Sequence, residues 1–249
     1  MTRALIRMNL DDADHYSPER RAEIRASYPE HERDARTEGY PKMGSGLVFP
    51  VDFDSLLCEP FAIPKEWYRV RGIDFGWDHP FAAIDTAWDR DADVIYWTKE
   101  YRQREQTPII HAAAIDAWGE EWVPIAWPHD GLQMNVDKSS SKQLAQLYRE
   151  CGLNLLPEHA THEAGGYGLE GGIIEILDRM KTGRLKVFRH LSQIMGEARS
   201  YHRVEGIIVA ERDDLLSAGR YASMMRRFSE TVPVKRTASG RRAGGWMGA

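Results

Sequence analysis

An apolar run that ends in a carboxylate and then turns through glycine, Val70-Arg71-Gly72-Ile73-Asp74-Phe75-Gly76, limits the fold of this chain more than any other stretch. It predicts a strand over 68–75 that carries Asp74 to the edge of a sheet. Two more strands are expected at 81–88 and 94–101, parted only by the charged turn Asp89-Arg90-Asp91-Ala92-Asp93. Three strands joined by short turns make an antiparallel meander. Thr107-Pro108 then opens a helix to about residue 118, and a fourth strand at 122–127 leads into His129-Asp130-Gly131. A helix over 141–151 and a short fifth strand at 153–156 follow. The expected fold class is α/β: a mixed β-sheet, an antiparallel meander plus parallel strands, flanked by helices.

Residues 159–172 are polar and rich in glycine, so a mobile loop is expected there. Helical spacing resumes at Ile173, Ile176 and Met180 and stops at Gly183, and Leu185-Lys186-Val187-Phe188 reads as a strand. Another helix is marked by Leu191, Ile194, Ala198 and Tyr201, and Ile207-Ile208-Val209 follows the turn at Gly206. The last helix starts at Asp213 or Asp214 and runs to about residue 228. Three parts result: a charged, helical connector over 1–66, the domain proper over 67–228, and a basic tail over 229–249 expected to be disordered. Helix starts in the connector are Ser17-Pro18-Glu19 and Tyr28-Pro29-Glu30.

With 42% hydrophobic residues the chain can bury a sizeable core, and it holds no apolar run near the roughly 20 residues of a membrane span. A soluble protein acting inside the cell, with no membrane partner, is expected. Cys58 and Cys151 have neither metal-ligand spacing nor a disulfide framework. The net charge of −5 is unevenly divided: residues 215–249 carry +6 and the rest −11. An acidic body makes few phosphate contacts by charge, so weak DNA binding in isolation is expected. No GxxxxGK[ST] is present, which argues against a nucleotide site in the glycine-bearing loop, and His159 and His162 lack the partners of a zinc site. The tryptophans at 67, 77, 88, 97, 118, 122 and 127 fall in strand or helix patterns and read as core. His79, Lys138, Lys142 and Arg220 are candidate phosphate neighbours.

Three acidic positions carry the chemistry: Asp74, Asp130 and the pair Asp213-Asp214. Each has a plain structural use as well, in turns or as a helix cap that contributes about 1 kcal/mol. If the first and fourth strands are parallel neighbours, Asp74 and Asp130 lie side by side at one sheet edge. Gathered like charges are unfavourable unless a cation neutralises them, and an all-oxygen set suits a hard divalent ion, Mg²⁺ or Mn²⁺. Two such ions about 3.5–4 Å apart would activate a water and stabilise the leaving oxygen in phosphodiester hydrolysis. The catalytic and metal-binding candidates are thus Asp74, Asp130 and Asp214, with Asp213 as the substitute, in a metal-dependent nuclease.

Gly72-Ile73-Asp74-Phe75-Gly76, Asp130-Gly131 and Asp213-Asp214-Leu215-Leu216-Ser217-Ala218-Gly219-Arg220-Tyr221-Ala222 resemble the nuclease domain of the large terminase subunit of tailed bacteriophages. Residues 28–50 are similar to the connector that follows the ATPase domain in that family. The resemblance implies an RNase H-like fold and two-metal cleavage of double-stranded DNA during genome packaging in the cytoplasm of a bacterial host. It also implies as partners the terminase ATPase domain, the small terminase subunit and the portal protein. By match of motif, Asp74 is the strand-one acid, Asp130 the strand-four acid, and Asp214 or Asp213 the last-helix acid. Many members carry a further Asp where this chain has Ser217, which leaves the assignment within that motif open. No Walker motif precedes the connector, so the motor is expected as a lost domain or a separate chain. Two other readings stand beside this one: a RuvC- or RNase H-type nuclease for branched or hybrid nucleic acid, and a non-catalytic portal-docking module.

Overall fold

Six strands form one sheet in the order β1-β8-β4-β3-β2-β5 in the computed structural model, which describes residues 9–13, 15–27, 37, 46–137, 140–204, 206–209 and 211–233. The meander is β2 (Tyr68–Asp74), β3 (Phe81–Asp89) and β4 (Val94–Gln103), each antiparallel to the next. On one side β5 (Ile125–Ala126) runs parallel to β2. On the other, β8 (Leu185–Phe188) runs parallel to β4, and β1 (Leu57–Cys58) runs parallel to β8. The helices are α1 (Pro18–Ser27), α2 (Pro108–Asp116), α3 (Leu144–Glu150), α4 (Leu169–Lys181), α5 (Ser192–Ser200) and α6 (Asp214–Met224). Among the described residues no helix is long and apolar enough to cross a membrane.

Alternation along the strands divides the core in two. Ala82, Ile84, Ile95 and Trp97 pack against α4, α5 and α6, whereas Ile73, Phe75, Phe81 and Ala83 pack against α2 and α3. The meander therefore has helices on both faces, as its apolar runs require. One patch of the buried sheet is ionic. Asp85 of β3 accepts a bond from Arg71 Nε at 3.0 Å and others from Arg69 and Thr98, and Arg69 reaches Glu120 at 3.0 Å. Burial pushes the Asp85 carboxyl up, but the two guanidinium groups and the Thr98 hydroxyl outweigh it and hold the acid below the ordinary carboxylate range.

Several elements differ from expectation, each for a local reason. The fourth strand contracts to Ile125 and Ala126 because Pro124 and Pro128, which lack an N–H, bracket it. Residues 153–156 contribute a single parallel bridge, Leu155 to Ile125. Residues 141–143 belong to a hairpin of β6 (Met134–Asp137) and β7 (Ser140–Gln143), so the following helix starts at Leu144. A second hairpin joins β9 (Arg203–Val204) to β10 (Ile207–Ile208).

The sheet also draws on residues before 67. Val48, Phe49 and Leu56 are buried, and β1 forms its outer edge. Leu47 bridges His202, the Gly46 carbonyl accepts from Arg203 N–H at 2.7 Å, and Val48 N–H donates to the Tyr201 carbonyl at 3.0 Å. The helix start at Tyr28-Pro29-Glu30 and the tail from residue 234 lie outside the described residues.

Candidate active site

Helix α6 lies directly on β2 at Gly72, where an added Cβ would stand 1.9 Å from the Ala218 carbonyl oxygen. Only glycine allows that approach. It brings the first turn of α6 beside the last residue of β2, and so Asp214 and Asp213 beside Asp74. Asp130 arrives from the third side, in the 3₁₀ turn His129–Leu132 that follows β5. Gly131 seats that turn, since a Cβ there would meet Trp127 and Phe75 at 2.5 and 2.7 Å. The glycine-bearing loop reaches the same place, with Tyr167 stacked on His129 at 4.7 Å.

The start of α6 is held by neighbours rather than by its own cap. Asp213 makes no side-chain capping bond; instead Glu197 Oε2 of α5 accepts from the backbone N–H groups of Leu215 and Leu216 at 2.9 and 3.1 Å. Arg102 of β4 donates from Nε and Nη2 to Asp214 Oδ2 at 3.0 and 2.7 Å. Its Nε also lies 3.2 Å from Glu197 Oε1, in an orientation that leaves that oxygen without a hydrogen bond. The Tyr201 hydroxyl donates to Asp213 Oδ2 at 3.2 Å. The plain capping use of Asp213 is thus taken over by Glu197.

Charge in the site is poorly compensated. Burial drives the Asp74 carboxyl well above the ordinary value, with the charge of Asp130 next in weight; Asp214 and Asp213 add to it and only Arg220 opposes it. Burial also raises Asp130, against the pull of its local backbone N–H groups and His129. Asp213 is raised by burial despite the bond from Tyr201, and Glu197 is pushed by burial to about 8 against the Leu216 amide and Arg102. Asp130 Oδ1 is buried with no hydrogen-bond partner among the described residues. Arg220 is the internal countercharge: it is 5% exposed, its stem packs on Gly172, and its guanidinium lies 4.3 Å over the Tyr221 ring.

An orphaned carboxylate oxygen beside Asp74, which burial and three neighbouring acids raise, fits a hard divalent cation. The side chains are not drawn together as a finished cage: among the described residues no group of three His, Cys, Asp or Glu is placed to hold an ion. Arg102 occupies one oxygen of Asp214, and Tyr201 one of Asp213.

Arg102 and Glu197 were not singled out by the sequence, and Tyr201 only as a residue marking a helix. Glu197 alone had a usable signal, as an acid on a helix face otherwise buried through Ile194, Met195 and Ala198. Of the expected phosphate neighbours, His79 is exposed, Lys142 pairs with Glu150 at 2.8 Å, Arg220 is buried among the acids, and Lys138 lies outside the described residues.

The family model of the terminase RNaseH-like domain matches residues 71–226. The large terminase subunit of Salmonella phage P22 is 43% identical over 229 residues, which are 92% of this chain and 45% of that protein. The solved nuclease domain of the P22 large terminase is 42% identical with a TM-score of 0.69, over 76% of this chain and 96% of that one. The large terminase nuclease of thermophilic phage G20c with bound magnesium has a TM-score of 0.51 over 72% of this chain and 97% of that one; at 16% identity it speaks for the fold alone. The chain spans less than half the length of the P22 large subunit. With its meander, its parallel neighbour strand and its last helix seated on Gly72, the chain has an RNase H-like fold and belongs to the terminase RNaseH-like domain family.

Proposed function

We propose that this chain is the nuclease part of a phage DNA-packaging terminase, an endodeoxyribonuclease that cuts double-stranded DNA with two Mg²⁺ or Mn²⁺ ions. The observation that carries the reading is the unpartnered Asp130 Oδ1 next to Asp74, whose carboxyl is raised first by burial and then by Asp130 and the acids of α6. Asp74, Asp130 and one or both of Asp213 and Asp214 hold the metal. When bound, the ions supply an activated water and stabilise the leaving 3′-oxygen. The chain's own part is placement. Gly72 sets the distance between β2 and α6, Glu197 and Arg102 fix the first turn of α6, and Arg220 offsets part of the acidic charge from within.

Magnesium bound to the G20c nuclease, a relative in fold, is consistent with the choice of ion. The wider setting is proposed on the family alone. It comprises an ATPase domain before a connector over 1–66, the small terminase subunit and portal as partners, and a tail over 229–249 that touches portal or DNA. The place of action would be the cytoplasm of the bacterial host. One observation favours a non-catalytic docking module instead, namely that Arg102 already pairs with Asp214 and no cage of three ligands is assembled among the described residues.

Supercoiled plasmid incubated with the protein in Mn²⁺, Mg²⁺ or EDTA separates the two. Metal-dependent nicking and linearisation, lost in Asp74→Ala, is the expected outcome. An intact plasmid, together with no calorimetric Mn²⁺ binding at millimolar metal by folded protein, would sink the two-metal proposal and favour the docking reading.

A further inference from the structure

We propose that the cleft beside Asp130 receives an unstacked nucleobase of the strand being cut; this rests on the nuclease reading and adds a subsite to it. The cleft, about 440 Å³, has Asp130 as part of its wall and is bordered by Trp77, Gln106, Gln133, Met134 and Tyr148. Trp77 departs from the other tryptophans of the strands: it is 57% exposed, on the loop that leaves β2 just after Asp74. That loop is anchored by Glu105 N–H to the Trp77 carbonyl at 3.4 Å. Of the lining, Met134 is half exposed and Tyr148 is buried. No lysine or arginine lines the cleft.

These features select the occupant. A phosphate would need a cationic partner, and the lining has neither lysine nor arginine but does carry the Asp130 carboxylate, which repels an anion. Gln106 and Gln133 each offer a carbonyl acceptor and an amide donor, and neither side chain is hydrogen-bonded among the described residues. A flat, uncharged ring with donors and acceptors on its edge matches this set, with its face on Trp77 and its edge toward the carboxamides. Position makes the same choice. A cleft walled by an acid that acts on a phosphodiester takes what is bonded to that phosphodiester, and in DNA that is a deoxyribose and its base.

The test needs no cleavage. A fluorescently labelled single-stranded oligonucleotide and an abasic deoxyribose-phosphate strand of equal length are titrated against the whole chain by anisotropy, in EDTA at low salt. The intact strand is expected to bind about tenfold tighter than the abasic one. Trp77→Ala should erase that difference, and Trp77→Phe should keep most of it. Gln106→Leu combined with Gln133→Leu should change the ranking among bases while the preference for base over abasic persists. Equal binding of the two strands to wild type, a preference that survives Trp77→Ala, or no binding of either strand would overturn the proposal, the last leaving the cleft to a protein segment. Plasmid assays run beside it keep the two readings apart. Cleavage without base discrimination sinks the subsite alone, whereas discrimination without cleavage or metal binding sinks the nuclease and leaves only a base-binding cleft, no longer a subsite for a strand being cut.

Discussion

A methyl group at position 72 would press on the Ala218 carbonyl oxygen at 1.9 Å and on the Ala222 nitrogen at 2.9 Å, both within the backbone of α6. Backbone of a packed helix cannot yield as a side chain does, so Gly72→Ala should lift α6 from β2. The expected cost is about 2–3 kcal/mol, seen as a lower urea midpoint at unchanged m-value. The same displacement separates Asp214 from Asp74, and metal-dependent nicking should fall even where the variant is still fully folded. The place of Asp74 at the end of its strand was legible, because an apolar run closed by a carboxylate and then a glycine marks where a strand stops; the close approach at Gly72 was not, because it depends on a helix about 150 residues further on. Trp77 was misjudged on the same stretch. It was read with the apolar run before it, but the strand ends at Asp74, and after Phe75 the chain turns through Gly76 into the exposed stretch Trp77-Asp78-His79.

At the level of elements, α6 begins in a borrowed cap. Glu197 of α5 closes its first turn and Arg102 of β4 ties the same turn to the sheet, so three elements meet where Asp213 and Asp214 emerge. Removing the cation leaves two buried carboxylates facing each other. Arg102→Ala is therefore expected to destabilise the fold by about 2–3 kcal/mol. Arg102→Lys, which keeps the charge but loses the two-pronged contact, should recover only part of this; equal stability of Ala and wild type in urea titration would count against the clamp. None of this was readable beforehand. Arg102 sits near the end of a strand among other charged residues, and its partners are about a hundred residues away in sequence. The meander was readable nearly to the residue, because its strands are long and divided by charged turns. Strands β1 and β5 were lost or overextended, since two residues carry no periodicity and prolines set the limits of β5.

For the molecule as a whole, the acids set a direction for stability with pH. Asp74, Asp130, Asp213 and Glu197 all hold protons more tightly when folded, with burial the first cause in each. Groups raised in this way stabilise the fold below the ordinary carboxylate range and lose that contribution as pH climbs through their folded values, for Glu197 about 8. Asp85 runs the other way, since its lowered carboxyl contributes above the ordinary value and fails only in acid. In EDTA the melting temperature should consequently fall between roughly pH 5 and pH 8. Mn²⁺ should restore it at the upper end, and Asp74→Asn should flatten the slope. A melting temperature that rises over that interval would contradict the raised acids.

The contact between residues 46–48 and the end of α5 has a mechanical meaning. Val48 N–H holds the Tyr201 carbonyl, and the hydroxyl of that same tyrosine holds Asp213. Of the contacts that tie this segment to residues 201–203, the one at Val48 leads through a single aromatic side chain to an acid of the site. A displacement of Val48 is therefore expected to carry Asp213 with it, and Tyr201→Phe, which keeps the backbone bond and loses the hydroxyl, to uncouple the two.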